Sequence, residues 1–98
     1  SWNDQAVARI KAPEEIDLIK ALARYPEVLA GSAQSMEPHR VTYYLMALAS
    51  AFHTYYNKHR VLTDDALLRC GRLNLILAVQ KVIRNGLTLL GVSAPDRM

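Results

Sequence analysis

The sequence predicts an all-α fold, a helical bundle of about four to five helices. Long stretches carry apolar residues every three or four positions, which is the spacing of a helix with one buried face. The hydrophobic half of the composition is mostly Leu, Ala, Ile and Val, and the aromatic residues are five Tyr, one Trp and one Phe. A chain of 98 residues is long enough for one domain with a modest core. Residues 1–12 show no clear period and are expected to be a lead-in from an upstream domain, with the helical domain covering 13–98.

The first predicted helix begins at Pro13, because proline suits a first helical turn and acidic residues follow it. It ends near Arg24, since the residue before Pro26 avoids the helical conformation. Its expected apolar stripe consists of Ile16, Ile19, Leu22 and Ala23. A short second helix, roughly 27–34, follows.

The third predicted helix opens at Pro38 and ends at about Tyr56 or Asn57. Residues at helical spacing form its apolar face: Val41, Leu45, Leu48, Phe52 and Tyr55. Further apolar residues, Tyr43, Met46 and Ala47, lie away from this face. A helix that is apolar around most of its circumference is usually central to its bundle.

The fourth predicted helix starts after Thr63 or Asp64, either of which is a good N-cap. Its apolar stripe is expected to contain Leu68, Leu75, Ile76, Val79, Val82 and Ile83. Arg72 falls on the apolar side of this helix, so we expect it to reach the edge of the core and pair with a carboxylate. Asn85 and Gly86 are expected to break or cap the helix, and the tail from Val92 onward is expected to be irregular.

Charge is distributed unevenly along the chain. Residues 1–38 carry a net charge of −2 and residues 39–98 carry +5. A basic second half suits a polyanionic partner, although a solvated helix face has the same composition.

No catalytic, cofactor-binding or metal-binding residue is predicted. His39, His53 and His59 have no Asp, Glu or Cys at ligand spacing beside them, and the glycines form no phosphate-binding loop. The single cysteine, Cys70, excludes an internal disulfide and a cysteine-based zinc site, and a packed, inert thiol is expected. The sequence has no signal-peptide pattern, and no apolar run is expected to approach the roughly 18 residues needed to cross a bilayer, so a cytoplasmic location is expected.

One cluster combines aromatic, amide and basic groups where the third helix gives way to a loop. It contains His53, Tyr55, Tyr56, Asn57, Lys58, His59 and Arg60. Single-stranded RNA is bound by such groups, because bases stack on aromatic rings, amides bond to base edges and cations hold phosphates. The same residues are also compatible with an ordinary polar helix end, and the pattern alone does not choose between these two interpretations.

A resemblance to a known family covers about residues 13–98. It is carried by Glu-Pro-His-Arg at 37–40, Tyr-Leu at 44–45, Phe-His-Thr-Tyr-Tyr-Asn at 52–57, Arg-Val-Leu at 60–62, Arg-Leu at 72–73, Ala78, and the closing Asn-Gly-Leu-Thr-Leu-Leu-Gly-Val-Ser-Ala-Pro-Asp-Arg-Met at 85–98. These segments resemble the C-terminal DALR-type anticodon-binding domain of arginyl-tRNA synthetases. The closing block argues against the related domains of the cysteinyl enzyme and the glycyl beta subunit. A helical protein-interaction module is the other alternative.

The resemblance implies that the complete protein is a class I arginine-tRNA ligase, which uses ATP with magnesium to attach arginine to tRNA(Arg). The two ATP-handling signatures of that class, His-x-Gly-His and a Lys-Met-Ser-Lys-Ser-like loop, are missing from this sequence. The implied partners are therefore tRNA(Arg) and an upstream catalytic domain of the same chain, with no DNA or membrane. This fragment should need no cofactor and be inactive alone.

The resemblance also implies site residues. Tyr56 and Arg60 match positions that stack on or brace anticodon bases, and Met98 matches a terminal residue that reaches back to the same pocket. Four neighbours, His53, Asn57, Lys58 and His59, are expected to assist.

Overall fold

The computed structural model describes residues 12–59 and 63–93. Within these ranges the chain forms four α-helices and no strand, which confirms the all-α prediction. The helices are α1 (Pro13–Ala23), α2 (Tyr25–Ser35), α3 (His39–Lys58) and α4 (Ala66–Ser93). Most of the predicted lead-in, residues 1–11, lies outside the described residues.

Helix α3 is the central element of the bundle. It packs against α1, α2 and α4. The buried core is built from Leu18, Tyr25, Val41, Tyr44, Leu45, Leu48, Tyr55, Leu75 and Val79. Four of the five residues predicted for the apolar face of α3 belong to this core, and the fifth, Phe52, packs against it. The central position predicted for this helix is therefore confirmed, although Tyr43 and Met46 remain exposed.

Helix α1 faces the core with a different side from the one predicted. Leu18 and Glu15 are fully buried, whereas Ile16 is 37% exposed and Ala23 lies on the surface. Positions 15 and 18 are three apart and so share one face of a helix. The partners that bury Glu15 therefore turn α1 away from the orientation that hydrophobicity alone suggests, and the prediction for Ile16 and Ala23 is wrong.

Hydroxyl groups of buried tyrosines connect helices along the bundle. Tyr44 donates a hydrogen bond to the carbonyl of Ala21 at 2.6 Å and stacks on Tyr25 with ring centroids 5.6 Å apart. Tyr25 in turn donates to Oδ1 of Asn85. Burial raises the pKa of the Tyr25 and Tyr44 hydroxyls, so both stay protonated and remain donors.

Helix α4 runs without interruption through Asn85 and Gly86, so the predicted break is wrong. A β-carbon at Gly86 would lie only 2.8 Å from Cδ1 and Cδ2 of Leu45, and Gly86 is buried. The glycine therefore permits a close approach of α3 and α4 and does not end the helix. Val92 and Ser93 are also helical, contrary to the irregular tail predicted there, and residues 94–98 lie outside the described ranges.

This contact predicts opposite effects for two glycine substitutions in α4. Gly86→Ala should lower the free energy of unfolding by about 1–2 kcal/mol, since the strain of overpacking exceeds the gain in helix propensity. Gly91→Ala should raise it by about 0.5 kcal/mol, because a β-carbon there meets nothing within 4 Å. Urea denaturation of both variants tests this, and equal effects at the two positions would contradict the role assigned to Gly86.

Helices α3 and α4 are antiparallel. Leu45 of α3 faces Gly86 of α4. Tyr55 lies later in α3 and Arg72 lies earlier in α4, and both donate hydrogen bonds to the carboxylate of Glu15. The start of α4 therefore lies beside the end of α3, and Ser93 lies at the opposite end of the bundle.

Helix α4 is also long and apolar enough, over Ala66–Val92, to meet the length and composition criterion for crossing a membrane, with a mean hydropathy of 1.4. The prediction that no apolar run approaches a membrane-spanning length missed this segment. A mostly buried core helix meets the same criterion, but only 17% of the apolar window of α4 is buried, although Leu75 and Val79 are core residues. The other face of α4 exposes leucines, among them Leu73 and Leu77. One such helix is a weak indication of a membrane span.

Candidate nucleic-acid interface

The last turns of α3, from His53 to His59, form a surface that we call the α3 corner. Tyr56 is 57% exposed and lies on this surface. Its ring is 5.9 Å from that of Phe52, at an interplanar angle of 37°. Phe52 packs against the core, so it supports one side of the Tyr56 ring and leaves aromatic surface open to solvent.

His53 and Asn57 are exposed one helical turn apart. Nδ2 of Asn57 lies 3.2 Å from Nε2 of His53. The side chains therefore contact each other on the surface and offer an amide and an imidazole beside Tyr56. Both kinds of group bond to the edges of unstacked bases.

The basic end of the corner is attached to α1. Nζ of Lys58 lies 3.3 Å from Oε2 of Glu14, and Nε2 of His59 lies 2.9 Å from Oε1 of the same carboxylate. The His59 ring also stacks on Tyr55 at 5.2 Å. The hydrogen bond from His59 is the main cause that lowers the pKa of the Glu14 carboxyl to about 2, and Lys58 adds to it. The Glu14 carboxyl is therefore ionised in solution near neutral pH.

A buried ion pair lies beneath the corner. Glu15 is 1% exposed, and its Oε2 accepts hydrogen bonds from the Tyr55 hydroxyl at 2.9 Å and from Nε of Arg72 at 2.7 Å. Its Oε1 accepts the backbone N–H of Ala12 at 3.2 Å. This confirms the prediction that Arg72 pairs with a carboxylate at the edge of the core. Burial, followed by the bond to Glu15, raises the pKa of the Tyr55 hydroxyl, which keeps it a donor.

The structure describes five of the seven predicted site residues. His53, Tyr56 and Asn57 lie on the exposed side of the last turns of α3, whereas Lys58 and His59 turn toward Glu14 of α1. The other two, Arg60 and Met98, lie outside the described residues, and their roles stay predictions.

Sequence reasoning did not find the role of the acidic residues of α1. Glu14 and Glu15 were interpreted only as acidic residues at the positive end of a helix. Their partners are 40 to 57 residues away, so no local spacing reveals these contacts. The distribution of charge gives a partial indication of these contacts, because neither α3 nor α4 contains an Asp or Glu. The cations of these helices must therefore find their carboxylates on other elements or remain unpaired.

A metal site and an apolar groove are the other candidates for a functional site. Across residues 12–59 and 63–93, no group of three His, Cys, Asp or Glu side chains is arranged to hold a metal ion. A groove of about 500 Å³ lies between the end of α2, the start of α3 and the end of α4, and residues such as Leu29, Val41 and Leu90 line it. Its mostly apolar lining offers little to a nucleic acid, and it lies at the opposite end of α3 from the corner.

Comparison with known proteins identifies the family. A family model described as the DALR anticodon binding domain matches residues 2–98. The arginine–tRNA ligase of Desulfosudis oleivorans is 55% identical over 96 residues, which are 98% of this chain and 17% of that protein. The arginine–tRNA ligase of Geobacter metallireducens is 53% identical over 98 residues, 100% of this chain and 17% of that protein. The one from Coxiella burnetii strain RSA 493 is 57% identical over 84 residues, 86% of this chain and 14% of that protein.

No solved structure matches the chain significantly. The chain spans about a sixth of the length of the curated relatives it matches. A family model that covers nearly every residue, together with relatives above 50% identity, shows that this chain belongs to the DALR anticodon-binding domain family.

Proposed function

We propose that this chain is the tRNA(Arg) anticodon-recognition domain of an arginine–tRNA ligase, and that the α3 corner is its RNA contact. The observation that carries the proposal is the exposed Tyr56 ring, which is supported by Phe52 and has the exposed His53 and Asn57 side chains on the same side of the helix. Family membership and relatives named arginine–tRNA ligase support the identity of the RNA.

Each group at the corner has a distinct role in this proposal. An unstacked anticodon base lies on Tyr56, where base–aromatic stacking contributes about 1–3 kcal/mol. His53 and Asn57 bond to base edges, and Lys58 and His59 hold phosphates. Arg60 and Met98, which lie outside the described residues, complete the pocket.

Catalysis belongs to the rest of the protein in this proposal. The upstream domain binds ATP with magnesium, activates arginine and transfers it to the RNA, while the present domain selects the tRNA and aligns it. The chain supplies no catalytic residue and needs no cofactor for this role. The complete protein is expected to act in the cytoplasm, without a membrane or DNA partner.

Salt dependence separates RNA binding from a helical module that docks a protein partner. Each phosphate contact to a single strand contributes a slope of about −0.7 in log affinity against log salt. With two to three cations at the corner, affinity for tRNA(Arg) should fall about tenfold between roughly 50 and 200 mM salt. An apolar protein contact would not weaken in this way. Filter binding or fluorescence anisotropy with the full-length protein measures the slope.

Comparison of tRNA species tests the arginine assignment. Transcripts of tRNA(Arg), tRNA(Cys) and tRNA(Gly) should bind the full-length protein with clearly different affinities, tRNA(Arg) being the tightest. Equal affinities would remove the assignment to arginine. No binding of any of the three would remove the proposal itself.

A further inference from the structure

Lys58 and His59 are arranged as a receptor for a single anion. These two consecutive residues leave α3 in the same direction, and their nitrogen atoms reach the two oxygens of one carboxylate, at 3.3 and 2.9 Å. A phosphate group presents a similar pair of anionic oxygens. The carboxylate of Glu14 therefore occupies the position that these two donors would offer to an RNA phosphate.

The contact with Glu14 lies at the surface of the bundle. The Lys58 side chain is 60% exposed, and those of Glu14 and His59 are partly buried, at 29% and 19% exposed. Ion pairs between solvent-exposed groups contribute little net stability, because both partners are well solvated when they separate. A phosphate that arrives with a stacked base brings further contacts that Glu14 cannot match.

The neighbouring ion pair, between Glu15 of α1 and Arg72 of α4, is buried instead. Glu15 is only 1% exposed on its side chain and Arg72 is 11% exposed, and breaking that pair would leave a charge in the core. Two consecutive glutamates thus have different tasks. Glu15 fixes α1 to the bundle, and this fixed helix holds Glu14 beside the α3 corner.

We infer that Glu14 is an internal competitor of RNA, which occupies Lys58 and His59 in the free protein and is displaced by a phosphate on binding. This inference deepens the proposed function and rests on it. The ligand is a phosphate of a single-stranded RNA loop. Glu14 lowers the affinity for RNA and keeps Lys58 and His59 from holding other anions.

Glu14→Gln tests this inference, with Asp17→Asn as its matched control. Both changes remove one negative charge from α1, and Asp17 is exposed and has no hydrogen bond or ion pair to the α3 corner among the described residues. The probe is an RNA hairpin carrying the anticodon loop of tRNA(Arg), bound to the full-length protein at low salt. Glu14→Gln should tighten binding about two- to fivefold, the size expected for loss of one exposed ion pair. Asp17→Asn should change it by less.

A double-variant comparison excludes an indirect effect on folding. When Lys58 and His59 are both replaced by Gln, adding Glu14→Gln should no longer tighten binding, since the two side chains that Glu14 occupies are gone. An equal gain with and without the two cations, or equal effects of Glu14→Gln and Asp17→Asn, would overturn the inference. Weaker binding by Glu14→Gln would show instead that Glu14 positions the cations. If the unmodified protein did not bind the RNA hairpin at all, the proposed function itself would be contradicted.

Discussion

Replacing Arg72 by methionine is expected to lower the free energy of unfolding by about 3–5 kcal/mol, because a buried carboxylate would lose its cation. Glu15 is 1% exposed and accepts the Nε–H of Arg72 at 2.7 Å. Methionine keeps much of the length of the side chain, so lost packing should contribute little. Urea denaturation, followed by circular dichroism at 222 nm, measures the change.

Arg84→Met is the matched control for this experiment. Arg84 lies on the same helix but on its exposed side, and the same substitution there should alter the free energy of unfolding by no more than about 0.5 kcal/mol. Adding Glu15→Gln to Arg72→Met should recover part of the loss, because glutamine removes the unpaired charge and still accepts the Tyr55 hydroxyl. If Arg72→Met lowered the free energy of unfolding as little as Arg84→Met, the ion pair would not be the contact that fixes α1 to the bundle.

Replacing Tyr56 by alanine is expected to weaken tRNA(Arg) binding by about 1–3 kcal/mol, which is a factor of about 5 to 150. The side chain is 57% exposed and makes its ring contact with Phe52, so its removal should leave the fold intact. Tyr56→Phe retains the ring and should bind nearly as well. Direct binding to the full-length protein is the appropriate measurement.

Tyr43→Ala is the control for Tyr56→Ala. Tyr43 is another exposed tyrosine of α3, at 65%, but it lies near the start of the helix and contacts His39. Its loss should leave RNA affinity unchanged. Equal losses at the two positions would show that any exposed tyrosine on this helix matters, and unchanged affinity in Tyr56→Ala would remove the pocket assigned to the corner.

Deletion of Met98 addresses the part of the predicted site that lies outside the described residues. Reduced tRNA binding would support the prediction that the terminus reaches the anticodon pocket. Arginine-dependent ATP turnover should be less affected than binding. Direct binding of tRNA to the full-length protein is therefore the measurement.

Properties that depend on one helix at a time could be predicted from the sequence. The period of apolar residues in α3 identified its buried face, and the presence of a cation on that side of α4 predicted that Arg72 has a carboxylate partner. The identity of the partner could not be predicted. Glu15 lies 57 residues earlier in the sequence, and an acidic residue in the first turn of a helix is ordinary. Only the packing of the helices shows that it pairs with Arg72.

Properties that depend on the contact between helices were missed for the same reason. Asn85 and Gly86 form a typical helix-ending pair, yet here Tyr25 bonds to the amide and Leu45 packs where a β-carbon of Gly86 would be. At the corner, the sequence placed His53, Tyr56 and Asn57 on one exposed surface. It gave no indication that Glu14 holds Lys58 and His59.

The buried contact between Glu15 and Arg72 also constrains the order in which the chain can assemble. During synthesis α1 and α3 emerge before α4, so Tyr55 is present to meet Glu15 while its cation is still missing. Closing α1 onto α3 at that stage would bury an uncompensated negative charge, which is unfavourable. We therefore expect the first three helices to remain loosely associated until Arg72 arrives, so that the bundle forms in one cooperative step.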